Sequence, residues 1–117
     1  MTGKRVLMVE DQVELLALIS DALASSGHEV HTAEHGPAAL ELLRGDVQFD
    51  VIVSDVSMPE GISGIELAEY ARELQPQARM VLVSGYVKAQ LPGLPEGVGF
   101  LPKPYRLAQL LQLLRES

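Results

Sequence analysis

Val51-Ile52-Val53-Ser54-Asp55-Val56-Ser57-Met58-Pro59 is the stretch on which the fold turns. Three consecutive β-branched residues form a run that needs apolar cover on both faces, whereas a strand open to water on one face would alternate. Two polar residues follow at once. Met58 to Gly64, with Pro59 and two glycines, then reads as a loop. Beyond it, Gly64 to Leu74 has the pattern of a helix, stopped before Pro76.

The same unit recurs in both directions. Toward the N-terminus, Val6-Leu7-Met8-Val9 is a second doubly buried run, and residues 12–26 read as a helix closed by Gly27. Glu29 to Thr32 alternates more weakly, as an outer strand would. Pro37 suits the first turn of a helix through Ala38-Ala39-Leu40-Glu41-Leu42-Leu43, ended by Gly45. Toward the C-terminus, Met80-Val81-Leu82-Val83 and Val98-Gly99-Phe100-Leu101 are further strands, and Arg106 to Arg115 a closing helix. In Leu91-Pro92-Gly93-Leu94-Pro95 each proline removes a backbone donor and clashes one turn back, so the fourth helix of the series is expected to be short or irregular. Strands alternating with helices imply an α/β fold: a doubly wound five-stranded parallel sheet, order 2-1-3-4-5, flavodoxin-like (βα)5. An eight-fold barrel needs about 250 residues.

Composition narrows the function. The chain has 117 residues, 47% hydrophobic and 21% charged, which suits one globular domain over 1–117. It has no cysteine, which excludes disulfides, thiolate metal sites and cysteine nucleophiles. No apolar run approaches the roughly 18 residues of a membrane helix and no signal peptide is visible, so a cytoplasmic location is expected. The net charge is −7, with 14 acids against 4 bases in residues 1–75 and 2 against 5 in residues 76–117. Without a basic stripe, no direct nucleic-acid partner is expected.

In open α/β sheets ligands sit at the carboxyl ends of the strands. The residues there are Glu10-Asp11, Ser54-Asp55, Ser84-Gly85 and Pro102-Lys103-Pro104. Three carboxylates brought together repel, so protons or a cation must compensate them. Oxygen donors without His or Cys favour a hard ion such as Mg²⁺. A lysine and a serine beside them suit phosphoryl oxygens, and a carboxylate can itself be the nucleophile of an aspartyl phosphate.

These residues in this order resemble the receiver domain of two-component response regulators, over essentially the whole chain. Glu10-Asp11 is similar to the family's acidic pair. Asp55, with Met58-Pro59 downstream, is similar to its phosphorylated aspartate. Ser84 is similar to its phosphoryl-binding Thr or Ser, with the small Gly85 after it. Lys103-Pro104 is similar to its Lys-Pro pair, usually joined by a cis peptide bond. The separations are 44 residues from Asp11 to Asp55, 29 on to Ser84 and 19 on to Lys103.

The resemblance implies that Asp55 takes a phosphoryl group from a phosphohistidine. It implies that Asp11, Asp55 and the Ser57 carbonyl ligate Mg²⁺, with Glu10 acting through a metal-bound water. Ser84 and Lys103 would hold phosphoryl oxygens. Phe100, three residues before Lys103, matches an aromatic switch position that responds to Ser84. The implied partner is a histidine kinase or histidine phosphotransfer protein, with the receiver a monomer or weak dimer. The Ser-Gly-Tyr of Ser84-Gly85-Tyr86 and the Pro-rich segment after it resemble stand-alone receivers or receivers at the C-terminus of hybrid histidine kinases.

One glycine departs from the family pattern. Gly64 stands nine residues after Asp55 and follows Ser63, where the family usually has Asp-Gly eight residues on, so the loop is one residue longer.

Three further features invite a reading. On the first helix Leu16, Ile19 and Leu23 form a stripe with Leu15, Leu18 and Ala22 beside it, an arc of about 160° where a surface helix needs about 100°. The arc suits either a deeply packed helix or a docking edge for a helical partner, with Glu14, Leu15, Leu18, Asp21 and Ala22 as the contact residues. His28, His31 and His35 precede the second helix, away from the acids, and suit surface or packing roles. Tyr86, two residues after Ser84, suits either packing under the loop or shielding of an aspartyl phosphate from water. Two other functions compete: a small Mg²⁺-dependent aspartyl-phosphate phosphatase and a phosphorylation-independent pseudo-receiver. Such phosphatases usually carry a second acid two residues after the nucleophile, where this chain has Ser57. The intact set Glu10, Asp11, Asp55, Ser84 and Lys103 argues against a pseudo-receiver.

Overall fold

The β-branched runs do what their lack of alternation predicts and are buried on both faces. In a computed structural model, which describes residues 3–58, 61–85 and 97–116, five strands form one parallel sheet in the order β2-β1-β3-β4-β5. The strands are β1 (Arg5–Val9), β2 (Glu29–Ala33), β3 (Val51–Asp55), β4 (Arg79–Ser84) and β5 (Gly99–Pro102). Helices α1 (Val13–Ser25), α2 (Gly36–Leu43), α3 (Gly64–Leu74) and α4 (Leu107–Arg115) cover it.

Alternate residues of each strand serve opposite layers. Leu7, Val9, Ile52 and Leu82 pack under α2 and α3, against Leu40, Leu43, Leu67 and Ala71. Val6, Met8, Val51, Val53, Val81 and Val83 pack under α1 and α4, against Leu16, Ile19, Leu23, Leu110 and Leu114. Strand order reverses between β1 and β3, which run side by side up to the pair Val9 and Ser54. That crevice is where the fold places a ligand.

The helix ends follow from their residues. Gly27 takes φ +94° just past α1, a conformation that costs glycine little. His35 caps α2 by accepting the Ala38 N–H at 3.1 Å, and Pro37 sits in the first turn. Ser63 and Glu66 form a reciprocal capping box that starts α3. A Cβ on Gly64 would collide with the Asp55 carbonyl, so only glycine lets α3 begin this close to the end of β3.

Two boundaries differ from the sequence reading. Ser54-Asp55 and Ser84 close their strands rather than following them. The parallel ladder continues through Asp55 beside Val83 and Ser84 beside Pro102. The segment between β4 and β5, for which the sequence predicts a short or irregular helix, falls in residues 86–96, outside the described residues, as does Tyr86.

Candidate functional site

The polar strand ends converge. Glu10 follows β1 with its N–H donated to the Ala33 carbonyl at 3.0 Å, which continues the pairing with β2. Glu10 is 2% exposed, and Asp55 is also buried. Asp11 remains exposed, yet Glu10, Asp11 and Asp55 each bring a carboxylate oxygen within 4.8 Å of the other two. From the end of β5, Lys103 reaches Asp55 Oδ1 at 2.8 Å and lies 3.8 Å from Glu10 Oε1.

One ammonium faces three carboxyls, and the protonation equilibria register the imbalance. Burial pushes the Glu10 carboxyl up to about 7, with a hydrogen bond and charge repulsion from Asp55 adding to it. The Gln12 N–H, 3.0 Å from Glu10 Oε2, and the charge of Lys103 oppose the shift. Burial alone would lower Lys103, but the hydrogen bond and charge of Asp55, with Glu10 and Asp11, outweigh it and hold its pKa above the usual value. An all-oxygen cluster with surplus negative charge fits a hard divalent cation.

The cluster opens into a pocket of about 230 Å³ lined by Asp11, Asp55, Ser57, Ser84 and Lys103, among others. Ser84 is buried, and its carbonyl accepts the Lys103 N–H at 2.7 Å, tying the end of β4 to the end of β5. The Lys103-Pro104 peptide bond is cis. Phe100 is half-buried beside Leu82, two residues before Ser84 in the register, and packs on the α2/α3 side of the sheet.

The first helix buries only part of its wide apolar arc. Leu16, Ile19 and Leu23 are core, but Leu18 is 68% exposed. Leu15, Leu18, Ile19 and Ala22 form one wall of a groove of about 660 Å³, and Pro104, Tyr105 and Leu107 the other, with Lys103 also on its lining. Glu14 and Asp21 are exposed on the same helix but do not line the groove. The histidines are taken up elsewhere. His28 Nδ1 accepts from Lys4 N at 2.9 Å, His31 Nε2 lies 2.7 Å from Glu29, and His35 caps α2.

Three neighbours of the site were not legible in the sequence. Gln12 holds Glu10 through its backbone, which no side-chain motif reveals. Ser54 is fully buried beneath the turn after Asp55. Tyr105 borders the groove, and burial pushes its phenol up to about 12, with the charges of Glu10 and Asp55 adding. Its place right after Lys103-Pro104 was the available signal.

Comparison with known proteins agrees with this geometry. Residues 6–115 match the family described as the response regulator receiver domain. The chain is 40% identical to the sensor kinase CckA of Brucella abortus over 117 residues, covering 95% of this chain but 12% of that protein. It is 31% identical to the response regulator receiver protein CpdR of the same organism, covering 92% of this chain and 91% of that one. Among solved structures, the receiver domain of the hybrid histidine kinase CckA superposes with a TM-score of 0.82 at 33% identity, covering 96% of each chain. TrrA of Thermotoga maritima, in complex with Mg²⁺-BeF, superposes with 0.83 at 28% identity, covering 97% of each chain. No helix among the described residues is long and apolar enough to cross a membrane. A sheet of order 2-1-3-4-5 carrying an acidic triad and a lysine at its carboxyl edge, matched over residues 6–115, is a signalling module rather than a turnover enzyme: the chain belongs to the response regulator receiver domain family.

Proposed function

We propose that Asp55 is the phosphoacceptor of a two-component phosphorelay, taking a phosphoryl group from a phosphohistidine on a histidine kinase or histidine phosphotransfer protein. The observation that carries this reading is the pocket itself: Asp55 is held at 2.8 Å by Lys103 in a cavity that Ser84, Ser57 and Asp11 also line. An Asp55 oxygen forms the new bond to phosphorus as the bond from phosphorus to the imidazole nitrogen breaks. The electron pair returns to the imidazole of the partner. Lys103 and Ser84 supply donors for the phosphoryl oxygens, so the chemistry is mostly placement and charge compensation.

Asp11, Asp55 and the Ser57 carbonyl would hold Mg²⁺, and Glu10 would act through a metal-bound water. When bound, the ion supplies positive charge to the transferring group. The two phosphoryl donors come from different strands, and Phe100 lies beside β4, so a shift of Ser84 toward the phosphoryl group would be felt at Phe100 as a conformational switch. The groove between α1 and the Pro104–Leu107 segment adjoins Lys103. It would seat an apolar helical ridge of the partner, with Leu15, Leu18 and Ala22 in contact and Glu14 and Asp21 steering from outside it. We place this module in the cytoplasm, as a monomer or weak dimer.

The sequence relatives that carry a receiver include a sensor kinase far longer than this chain, so the output of any larger protein belongs to the same proposal. A titration with beryllofluoride tests the site. Binding that requires both Mg²⁺ and Asp55 supports the reading, and binding that survives Asp55→Asn overturns it.

A further inference from the structure

Ser54 is the one hydroxyl-bearing residue of β3, it is 0% exposed, and it lies on the face that packs under α2 and α3, where its neighbours in register are Val9 and Leu82. An apolar side chain would suit that layer better, because burying a hydroxyl costs free energy unless it is hydrogen-bonded. Its partners explain its presence. Ser54 Oγ donates to the Asp55 carbonyl at 2.9 Å and lies 3.6 Å from Met58 Sδ. The same carbonyl is the atom that a Cβ on Gly64 would strike. The Asp55 peptide is therefore clamped, with the Ser54 hydroxyl on one side and the bare Cα of Gly64 close against it. Between the two residues that Ser54 touches lies Ser57, which lines the acidic pocket.

We propose that Ser54 is a positioning residue: its buried hydroxyl fixes the Asp55–Met58 turn so that the Ser57 carbonyl and the Asp55 carboxylate face the cation site together. The inference rests on the phosphoacceptor reading for its functional consequence, but not for its structural one. Groups that orient metal ligands without touching the metal typically govern about tenfold or more in affinity. Ser54 acts in this way on two ligands at once, from the opposite face of the sheet.

The test compares Ser54→Ala, Ser54→Cys and Ser54→Thr with the wild type. Cysteine nearly keeps the volume but donates weakly, so it serves if alanine fails to fold, and threonine keeps the hydroxyl. Two readouts are taken: Mg²⁺ affinity by titration, and the amide chemical shifts of Val56, Ser57 and Met58 in metal-free protein. The expected result is displaced turn amides and about tenfold weaker Mg²⁺ binding in the alanine and cysteine variants, with both restored in the threonine variant. Wild-type Mg²⁺ affinity and unmoved amides in a folded Ser54→Ala or Ser54→Cys protein would overturn the proposal. The metal-free shifts report on the turn whether or not Asp55 accepts a phosphoryl group. A wild type that takes no phosphoryl group therefore counts against the phosphoacceptor reading alone.

Discussion

Lys103 Nζ sits 2.8 Å from Asp55 Oδ1, and no other ammonium lies in the cluster of Glu10, Asp11 and Asp55 among the described residues. Its side chain is one-third exposed, so the pair is partly screened, yet it is the main counter-charge to two buried carboxyls. Lys103→Met removes that charge and keeps most of the stem. Metal-free stability in urea should fall by about 1–2 kcal/mol, below the cost of breaking a fully buried pair. Phosphorylation by a small donor should slow at least tenfold, as one phosphoryl contact is lost.

Glu10 makes the metal-free fold pH-dependent. Its carboxyl titrates near 7 in the fold against 4.5 as its ordinary value. A raised acid disfavours its own ionised form, so the folded state binds more protons than the unfolded state between those values. The associated stability is fully present below about 4.5 and is lost as the pH rises through 7. Thermal melts in chelator should show this decline, and Glu10→Gln should flatten it. An unchanged pH profile in that variant would contradict the assignment.

Gly64 brings the start of α3 against the end of β3. In Gly64→Ala the new methyl meets the Asp55 carbonyl, a backbone atom that also accepts the Ser54 hydroxyl. Overpacking of this kind costs about 1–3 kcal/mol. Both the melting temperature and the rate of adduct formation should drop, since the strain falls on Asp55 itself.

Gln75 provides a contrast far from the site. Its buried amide accepts from Phe49 N at 2.8 Å and donates to the carbonyls of Leu43 and Val47 at 3.1 and 2.8 Å. Gln75→Leu orphans these backbone groups and should cost about 3 kcal/mol in urea unfolding. Adduct formation in the folded fraction should keep its wild-type rate.

Leu18, at 68% exposure on the groove wall, separates docking from chemistry. Leu18→Arg should leave stability within about 0.5 kcal/mol, as surface changes usually do. Phosphorylation by a small donor should be unchanged, while transfer from a phosphohistidine partner should fall at least tenfold. Equal loss with both donors would move Leu18 from docking to structure.

The strands and the residues that converge at their carboxyl ends were legible because doubly buried runs lack alternation and because a parallel sheet brings the polar residues at its strand ends to one edge. Glu10, Asp11, Asp55, Ser84 and Lys103 stand out as strand-end residues on that ground, while the roles proposed for them come from the family resemblance. Leu18 was ambiguous, since periodicity measures which face of a helix a residue occupies and not whether a second element covers it. Ser54 and Gln75 were invisible for a different reason. A buried polar side chain is explained by its partners, and those of Gln75 lie 26 to 32 residues away in the chain. Gly64 was noticed only as a displaced motif glycine, while the structure shows the steric reason it must be glycine.

The central claim is that Asp55 accepts a phosphoryl group. Incubation with Mg²⁺ and a small phosphodonor, followed by intact mass measurement, tests it most directly. A gain of one phosphoryl group is expected in the wild type, lost in Asp55→Asn and absent without Mg²⁺. A wild-type protein that stays at its unmodified mass, or an Asp55→Asn variant that gains the same increment, would contradict it.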